Sequence, residues 1–395
     1  MTALQEATGA TDWRAFVHTG PETVGGRYLR LFWHPVYRGQ DLAAGRAVPL
    51  RIMSEDFTLY RSESGRAQAL AFRCAHRGTQ LSTGWVEGDN LRCFYHGWKY
   101  DGSGQCVEQP AEPEPFCQRI KIRSYPTEEY LGLIFVYLGE GEAPEFRRYP
   151  DFERAVDSDV NIYLRRSNFF NNLDNDGIHT YFVHRRPGHD FAVNLTKETL
   201  PTAEAEEDEF GLLHWSRRPD GSTSTPNHRG MPNIVVRKQK PNEASPRSED
   251  SLEWRVPVDD ESHLMVHVEI AHFPDKATVR PTADANWWDP NDIADLILEG
   301  KLGREYVDMM RTDVFEIDDA IATYGDGRTT DMVKTQDAVS QGGQGRIADR
   351  DNEHLGRTDA SVILWRSLWL REVRALAEAR PVKQWLRPER YVNGL

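Results

Sequence analysis

Two short segments, each with one cysteine and one histidine, constrain the fold of this chain more than any other feature. Cys74 and His76 form the first pair, and Cys93 and His96 form the second. Two thiolates and two imidazoles could hold one zinc ion in a tetrahedral site. They could also hold a cluster of two irons and two sulfides, with both Cys on one iron and both His on the other. The spacing does not separate these possibilities, but in both cases the two segments must supply ligands to one centre.

The residues around the two pairs distinguish the possibilities. The sequences CAHRG at 74–78 and CFYHGW at 93–98 resemble the ligand loops of Rieske oxygenases. Neither loop has the additional Cys that joins the loops of respiratory-chain Rieske proteins. The resemblance therefore implies a Rieske [2Fe-2S] cluster held by Cys74, His76, Cys93 and His96.

Bulk properties exclude several classes of partner. The 395 residues are enough for two domains with their own cores. The chain has 62 acidic and 48 basic residues, a net charge of −14, and no run rich in Lys or Arg. This balance argues against nucleic acid and anionic membranes as partners. Only Cys106 and Cys117 remain, which make no disulfide framework. Because the sequence shows neither a signal peptide nor a long apolar span, we expect a cytoplasmic protein.

The pattern of short apolar runs predicts a small β domain that carries the metal loops. A polar segment with a short helix near 12–16 leads into it. Between 28 and 140, runs such as 57–60, 69–72 and 132–137 are broken by Gly, Asp and Ser, which is typical of antiparallel strands. A Gly/Glu/Pro stretch at 139–144 marks the boundary. We therefore predict a Rieske domain at 28–140 and a catalytic domain made of 1–27 and 141–395.

The second domain is predicted to combine a sheet with helices. Strands are expected at 162–170, 211–217, 233–237, 253–258 and 264–270, and loops at 217–230 and 240–252. After Trp287 the pattern is helical. It includes a strong helix at 362–379 whose apolar stripe contains Ile363, Trp365, Leu368, Trp369, Val373 and Leu376. The predicted class is α+β, and the resemblance implies a curved antiparallel sheet with helices of the helix-grip type.

A second metal site is predicted in the helix expected to contain 172–184. Asn172, Asp176 and His179 lie at i, i+4 and i+7, which places them on one helical face. His184 lies about 140° around from His179, so a shared metal requires the helix to end or bulge between them. Two His and one carboxylate form the ligand set of non-haem iron(II) oxygenases.

The spacing Asn172-x3-Asp176-x2-His179-x4-His184 resembles the iron helix of the Rieske non-haem iron oxygenase α subunit. The resemblance implies that His179 and His184 are iron ligands and that Asn172 and Asp176 are catalytic residues. In that family the Asp links the iron site to the Rieske His of a neighbouring subunit. Asp174 is the competing carboxylate in this segment, but the family spacing passes over it.

The third iron ligand is expected to be an Asp much later in the chain. Composition alone leaves several candidates open: Asp313, Asp318, Asp319, Asp331, Asp337 and Asp349. Gln336-Asp337 and the segment 345–359 resemble the C-terminal signature of the phthalate dioxygenase branch, which implies that Asp337 is the ligand. Gly342 stands where that branch often has Glu, so the substrate pocket is expected to differ there.

The family resemblance implies an enzyme that activates O2 with electrons from an NAD(P)H-dependent reductase, directly or through a ferredoxin. It also implies a homotrimer. The expected reaction is O-demethylation of a methoxylated, carboxylated aromatic such as a lignin-derived biaryl. The alternative reaction is ring cis-dihydroxylation, and the alternative of another class is a zinc-stabilised binding protein. An acidic substrate needs a cation, but we expect the nearby arginines to be surface residues: Arg217, Arg218, Arg229 and Arg237.

Overall fold

The computed structural model describes residues 12–153, 160–175, 183–184, 201–224, 226–238, 249–271, 286–311 and 321–387. Antiparallel strands dominate the first part, and a larger antiparallel sheet with helices forms the second. The predicted α+β class is confirmed.

The first part of the chain folds into three small sheets. Their strands β1 to β11 are Trp33–Arg38, Ala47–Ile52, Glu55–Arg61, Ala67–Ala71, Trp85–Glu87, Asn90–Arg92, Lys99–Tyr100, Cys106–Glu108, Ser124–Tyr125, Thr127–Tyr130 and Leu133–Tyr137. The strand orders are β2-β3-β4-β9, β5-β6-β7-β8 and β1-β11-β10. The apolar run LIFVY of β11 is buried at every position, so both faces of this strand are covered by other parts of the chain. The strands predicted near 57–60, 69–72 and 132–137 are confirmed.

A seven-stranded antiparallel sheet organises the second part. Its strands β12 to β18 are Val160–Arg165, Thr202–Glu207, Gly211–Arg217, Asn227–Gly230, Ile234–Arg237, Glu249–Pro257 and His263–Ala271. The strand order is β12-β18-β17-β16-β15-β14-β13. A short hairpin follows, formed by β19 (Ile321–Thr323) and β20 (Thr329–Asp331).

Helices in the described residues pack against this sheet and against each other. Helices α1 to α7 are Arg14–Val17, Val24–Leu29, Phe169–Leu173, Pro290–Leu298, Arg304–Met310, Met332–Gly342 and Ala360–Ala377. None of them is both long and apolar enough to cross a membrane.

The two faces of the seven-stranded sheet differ in chemistry. Trp254 lies opposite Val266 in the register, and both side chains are buried in the main hydrophobic core. Glu253, one position earlier, lies opposite His267 on the other face. Successive strand residues point to opposite faces. One face therefore packs against the core, while the other presents ionisable side chains where a site can form.

Aromatic rings hold helices α3 and α7 together. Trp369 of α7 is fully buried and makes edge contacts with Phe169 and Phe170 at centroid distances of 5.8 and 5.4 Å. Its indole Nε1 donates to the carbonyl of Pro232, 3.1 Å away. The beginning of α3 is thereby fixed, because α3 cannot shift without disrupting this packing.

The strand predicted at 162–170 is too long. Strand β12 ends at Arg165, and the side chain of Asn168 accepts a hydrogen bond from the amide of Phe170. This N-cap starts α3, so Phe169 and Phe170 are helical. The helix predicted over 172–184 is wrong beyond its start: α3 ends at Leu173, and the described residues 174–175 and 183–184 are not helical. Residues 176–182 lie outside the described residues.

The prediction of a loop over 217–230 is wrong for its last four residues. Residues 227–230 form strand β15 inside the seven-stranded sheet, and Arg229 on it is buried. The loop predicted at 240–252 likewise overlaps β17, which begins at Glu249. Both predictions were wrong because they equated polar composition with loops. This sheet buries charged side chains on the face opposite the hydrophobic core, which is called its second face below. The helix near 362–379 is confirmed, although Ile363 is exposed rather than part of the buried stripe.

Candidate metal centres

The two Cys/His segments form loops with the same backbone construction. In the first loop the amide of Gly78 donates to the carbonyl of Cys74 at 2.9 Å, and in the second Gly97 donates to Cys93 at 3.1 Å. Both glycines have positive φ, 75° and 72°. Glycine adopts this left-handed conformation without steric cost. The shared turn explains why each loop contains Gly four residues after its Cys.

The four side chains are arranged as two inner sulfurs and two outer rings. Cys74 and Cys93 are 3% and 2% exposed, whereas the imidazoles of His76 and His96 are only partly covered. The imidazole centroids lie 4.5 Å apart. The indole of Trp98 stacks on His76 at 4.6 Å and restrains that ring. The thiols thus form one pair and the imidazoles another, which is the pairing that a two-iron cluster with two Cys and two His ligands needs.

These residues also fit a metal cluster chemically. His76 Nδ1 is buried without a hydrogen-bond partner in the described residues. An unpaired buried ring nitrogen is costly unless a metal occupies its lone pair. Burial raises the pKa of the Cys93 thiol, so its thiolate requires nearby positive charge. The irons of a cluster would supply that charge, and the donor set therefore fits the cluster.

The hydroxyl of Tyr100 lies beside the first loop. It is 3.2 Å from Cys74 Sγ and accepts a hydrogen bond from the Ala75 amide at 3.1 Å. Burial, followed by the hydrogen bond with Cys74, raises the pKa of Tyr100 above its usual value. The hydroxyl therefore stays protonated and can donate to a thiolate at position 74.

The second loop is held by a charged group of side chains. The guanidinium of Arg92 donates to the carbonyl of Gly97 at 2.8 Å. It also pairs with Glu87 and Glu108 at 2.7 and 2.9 Å. A planar guanidinium can bind several acceptors at once. Arg92 thereby connects the loop to strands β5 and β8.

We expect Tyr100→Phe to lower the reduction potential of the cluster. In the wild type, the hydrogen bond from the Tyr100 hydroxyl stabilises the reduced cluster more than the oxidised cluster, because the reduced cluster has one more negative charge. The variant loses this stabilisation. If the hydrogen bond stabilises the reduced state by about 1 kcal/mol more than the oxidised state, its loss lowers the potential by roughly 40 mV for this one-electron couple. A potentiometric titration followed by electron paramagnetic resonance measures the shift. The control is Tyr60→Phe, because Tyr60 is in the same small core but donates to the Asp89 carbonyl. Equal potentials in the two variants would contradict this role.

The second centre is described in part. His184 Nε2 lies 3.5 Å from Asp337 Oδ1, although the two residues are far apart in sequence. Asp176 and His179 lie outside the described residues. The structure thus brings together two of the three side chains expected to hold iron. Both are largely buried, with side-chain exposures of 11% and 19%.

Gln336 fixes the orientation of His184. Its side-chain Nε2 donates to the carbonyl of Met310 at 2.8 Å, so its Oε1 is the atom that faces His184 Nδ1, 2.9 Å away. His184 Nδ1 must then carry the proton. The lone pair of Nε2 is directed towards Asp337, where a metal would need it. The sequence showed Gln336 only as part of a signature and indicated no role for it.

The competing carboxylates have other partners. Asp174 is bound by the guanidinium groups of Arg350 and Arg366, each at 2.7 Å. Asp331 caps helix α6 through the amide of Lys334, and Asp349 is exposed. Asp337 Oδ1, by contrast, is buried and accepts no hydrogen bond from the described residues. Asp313, Asp318 and Asp319 lie outside those residues.

Asn172 connects three elements. Its Oδ1 accepts from Arg255 Nε at 2.6 Å, and its Nδ2 donates to Gln341 Oε1 at 2.9 Å. Arg255 is on β17 and Gln341 is one turn after Asp337 on α6. Both ends of the amide are used by the protein, so the geometry gives Asn172 a positioning role. Gly342, at the end of α6, lies against Leu298 of α4.

The four arginines expected on the surface differ in exposure. Arg217 and Arg218 are exposed as expected, and Arg217 pairs with Glu204. Arg229 is not: it is 3% exposed and donates to the carbonyls of Leu173 and Asn175. It therefore binds the carbonyl of the last residue of α3 and a carbonyl just beyond the helix. Arg237 pairs with the buried carboxylate of Glu253 on the second face of the sheet. The prediction failed for Arg229 because its strand was not recognised.

We expect Gln336→Leu to weaken iron binding at this centre by roughly 10- to 100-fold, as is usual when the partner of a metal-binding His is lost. Without Oε1, His184 can rotate or change tautomer. Titration of the metal-depleted protein with Fe(II) measures the affinity. Gln344→Leu is the control, since Gln344 is exposed just beyond α6. Unchanged affinity in Gln336→Leu would show that His184 needs no such orientation.

Comparison with known proteins identifies the class. Residues 32–126, which include both loops, match the Rieske [2Fe-2S] domain family. Together with relatives named as oxygenase subunits, this match identifies the chain as a Rieske-type non-haem iron oxygenase. The cofactors expected from the sequence, a Rieske [2Fe-2S] cluster and mononuclear iron, are those of this family.

Two relatives illustrate the range of similarity. The 5,5'-dehydrodivanillate O-demethylase oxygenase subunit of Sphingobium sp. (strain NBRC 103272 / SYK-6) is 28% identical over 93% of this chain and 81% of its own length. The phenoxybenzoate dioxygenase subunit alpha of Ectopseudomonas oleovorans is 32% identical over 60% of this chain and 63% of its own length.

Solved structures share the fold. Pseudomonas putida CBB5 NdmB is 21% identical with a TM-score of 0.61, and the match covers 89% of this chain and 93% of that one. The oxygenase in the reduced complex of oxygenase and ferredoxin of carbazole 1,9a-dioxygenase is 18% identical with a TM-score of 0.58. That match covers 96% of this chain and 95% of that one.

Proposed function

We propose that this enzyme O-demethylates a methoxylated, carboxylated aromatic compound such as a lignin-derived biaryl. The similarity to an O-demethylase subunit along 93% of the chain carries this proposal, since it extends far beyond the Rieske domain of residues 32–126. Ring cis-dihydroxylation is the second candidate, supported by the higher identity to a dioxygenase subunit over 60% of the chain.

The ligand assignments are part of the proposal. Cys74 and Cys93 would hold one iron of the cluster, and His76 and His96 the other. His179, His184 and Asp337 would hold the mononuclear iron. When bound, the cluster supplies single electrons and the mononuclear iron activates O2 beside the substrate. The protein's own contribution is orientation: Gln336 fixes the tautomer of His184, and Asn172 joins α3, β17 and α6 around the centre.

Paired charges line the face of the sheet opposite the hydrophobic core. Arg237 and Arg255 both pair with Glu253, whose side chain is 2% exposed. Glu269 lies on the same face, 3.3 Å from His267, so two guanidinium groups face two carboxylates. Arg255 in turn contacts Asn172 beside the second centre. The carboxyl group of the proposed substrate therefore rests on the similarity to the O-demethylase subunit and not on a local excess of positive charge.

Formaldehyde release tests the reaction. Demethylation of a methoxy group produces one formaldehyde for each substrate converted, whereas ring dihydroxylation produces a diol and no formaldehyde. The purified enzyme, supplied with a reductase and NAD(P)H, should be tested with matched pairs of aromatics that have or lack the methoxyl and carboxyl groups. We expect formaldehyde only from methoxylated acids. Diol formation without formaldehyde would instead support the second candidate.

Assembly and electron supply are also proposals. Electrons would come from an NAD(P)H-dependent reductase or a ferredoxin, and the active form would be a homotrimer. A head-to-tail interface that closes after three copies would bring the cluster of one subunit beside the iron of the next. Asp176, three residues before His179, would connect the two centres across that interface.

We expect Asp176→Asn to retain both metal centres and the trimer but to lose product formation by at least 10- to 100-fold. The amide replaces a charged acceptor with a donor, so it cannot bridge two imidazoles. Metal analysis, reduction of the cluster by dithionite and light scattering monitor the intact properties. The control is Asp349→Asn, because Asp349 is exposed. Activity within a few-fold of wild type, or an active monomer, would exclude the cross-subunit route.

A further inference from the structure

Arg165 is a buried cation directly behind the second centre. It is the last residue of β12, and its side chain is 2% exposed. Its guanidinium donates through Nη1 to the carbonyl of Lys334 at 2.5 Å and through Nη2 to Asp337 Oδ2 at 3.2 Å. The rigid fork of the guanidinium therefore connects β12 to both the backbone of α6 and the carboxylate of Asp337.

The two oxygens of Asp337 consequently have different surroundings. Oδ2 is occupied by Arg165. Oδ1 is buried, accepts no hydrogen bond within the described ranges, and lies 3.5 Å from His184 Nε2. An oxygen bound to a guanidinium is less available to a metal, because one of its two lone pairs is used and the bound cation repels a second cation. Only Oδ1 is presented on the side where His184 points.

We propose that Arg165 is a positioning residue that withholds Oδ2, so that Asp337 offers the metal a single oxygen. This inference rests on the proposed function, in which His184 and Asp337 hold the mononuclear iron. A carboxylate that binds through one oxygen occupies one coordination position instead of two. The position that is saved stays open for O2, which an oxygenase site requires.

Arg165 could instead act only as an anchor for α6. The test must distinguish this anchoring from the withholding of Oδ2. The contact of Arg165 with the Lys334 carbonyl would anchor α6 to the sheet whether or not a metal is bound. Loss of an anchor lowers the melting temperature of the metal-free protein but does not change the number of open positions on the metal. Loss of the proposed restraint lets Oδ2 close on the metal and changes the binding of a small O2 analogue.

Nitric oxide is a suitable probe of open positions, because its complex with Fe(II) has a distinct electron paramagnetic resonance signal. The full-length Arg165→Met protein, with its cluster oxidised, should be depleted of mononuclear iron, reloaded with Fe(II) and titrated with nitric oxide. Arg166→Met is the matched control, since the adjacent Arg166 pairs with Asp292 and Asp295 on α4 instead. Melting temperatures of the metal-free proteins are recorded in parallel.

We expect Arg165→Met to keep Fe(II) affinity at or above the wild-type level while its affinity for nitric oxide falls by about tenfold or more. Arg166→Met should match wild type in both. Arg165→Lys keeps the charge without the fork and should lose a smaller part of the nitric oxide affinity. This variant decides the question by the same criterion if Arg165→Met does not fold.

Two results would overturn the inference and leave the proposed function intact. Wild-type affinity for nitric oxide with a lower melting temperature would mean that Arg165 only anchors α6. Loss of Fe(II) would mean that Arg165 holds Asp337 in place for the metal instead of withholding an oxygen from it. If wild-type protein itself binds no second-site iron, the proposed function fails and this inference fails with it.

Discussion

Helix α6 is attached to the rest of the catalytic part by buried hydrogen bonds, and the second centre depends on them. Gln336 binds His184, the Lys334 carbonyl and Asp337 bind Arg165, and Gln341 binds Asn172. A buried polar group without a partner is destabilising by about 1–3 kcal/mol. Each of these side chains is therefore held in one orientation by a partner from another element. That restraint leaves Nε2 of His184 and Oδ1 of Asp337 facing each other.

The first centre is restrained in a different way. Its loops are fixed by their own backbone, through the paired turns at Gly78 and Gly97. Side chains of the small core then cover the thiols from below, while Trp98 stacks on His76. Local turns can form such a site with few long-range contacts, so a compact β domain is sufficient. The imidazoles of His76 and His96 stay partly exposed.

Buried arginines are the main electrostatic feature of the catalytic part. Arg165, Arg229, Arg255 and Arg350 are all buried. Each binds a carbonyl or a carboxylate that belongs to another element. Guanidinium groups suit this role because they stay charged and bind several acceptors in fixed geometry. They hold α3 and α6 on the face of the sheet opposite the hydrophobic core. The backbone carbonyls there need hydrogen-bond donors, which apolar side chains could not provide.

The sequence alone determined the features that depend on local spacing, and tertiary packing decided which distant side chains meet. The paired Cys and His, the alternating strands and the long helix of 360–377 all follow from residues close together in the chain, whose side chains are ordered by the backbone period. Family resemblance also pointed to Asp337 among several Asp residues. The amino-acid sequence was therefore sufficient to predict both metal cofactors.

No local pattern indicates that Gln336 faces His184, that Arg165 lies behind Asp337, or that Arg229 is buried. These contacts form because β12, β15 and α6 pack around one polar face, and that packing involves residues far apart in sequence. Polar composition suggested loops and surface arginines there, because sequence patterns equate charge with exposure. In this fold the charges are buried and paired, and that pairing positions the site.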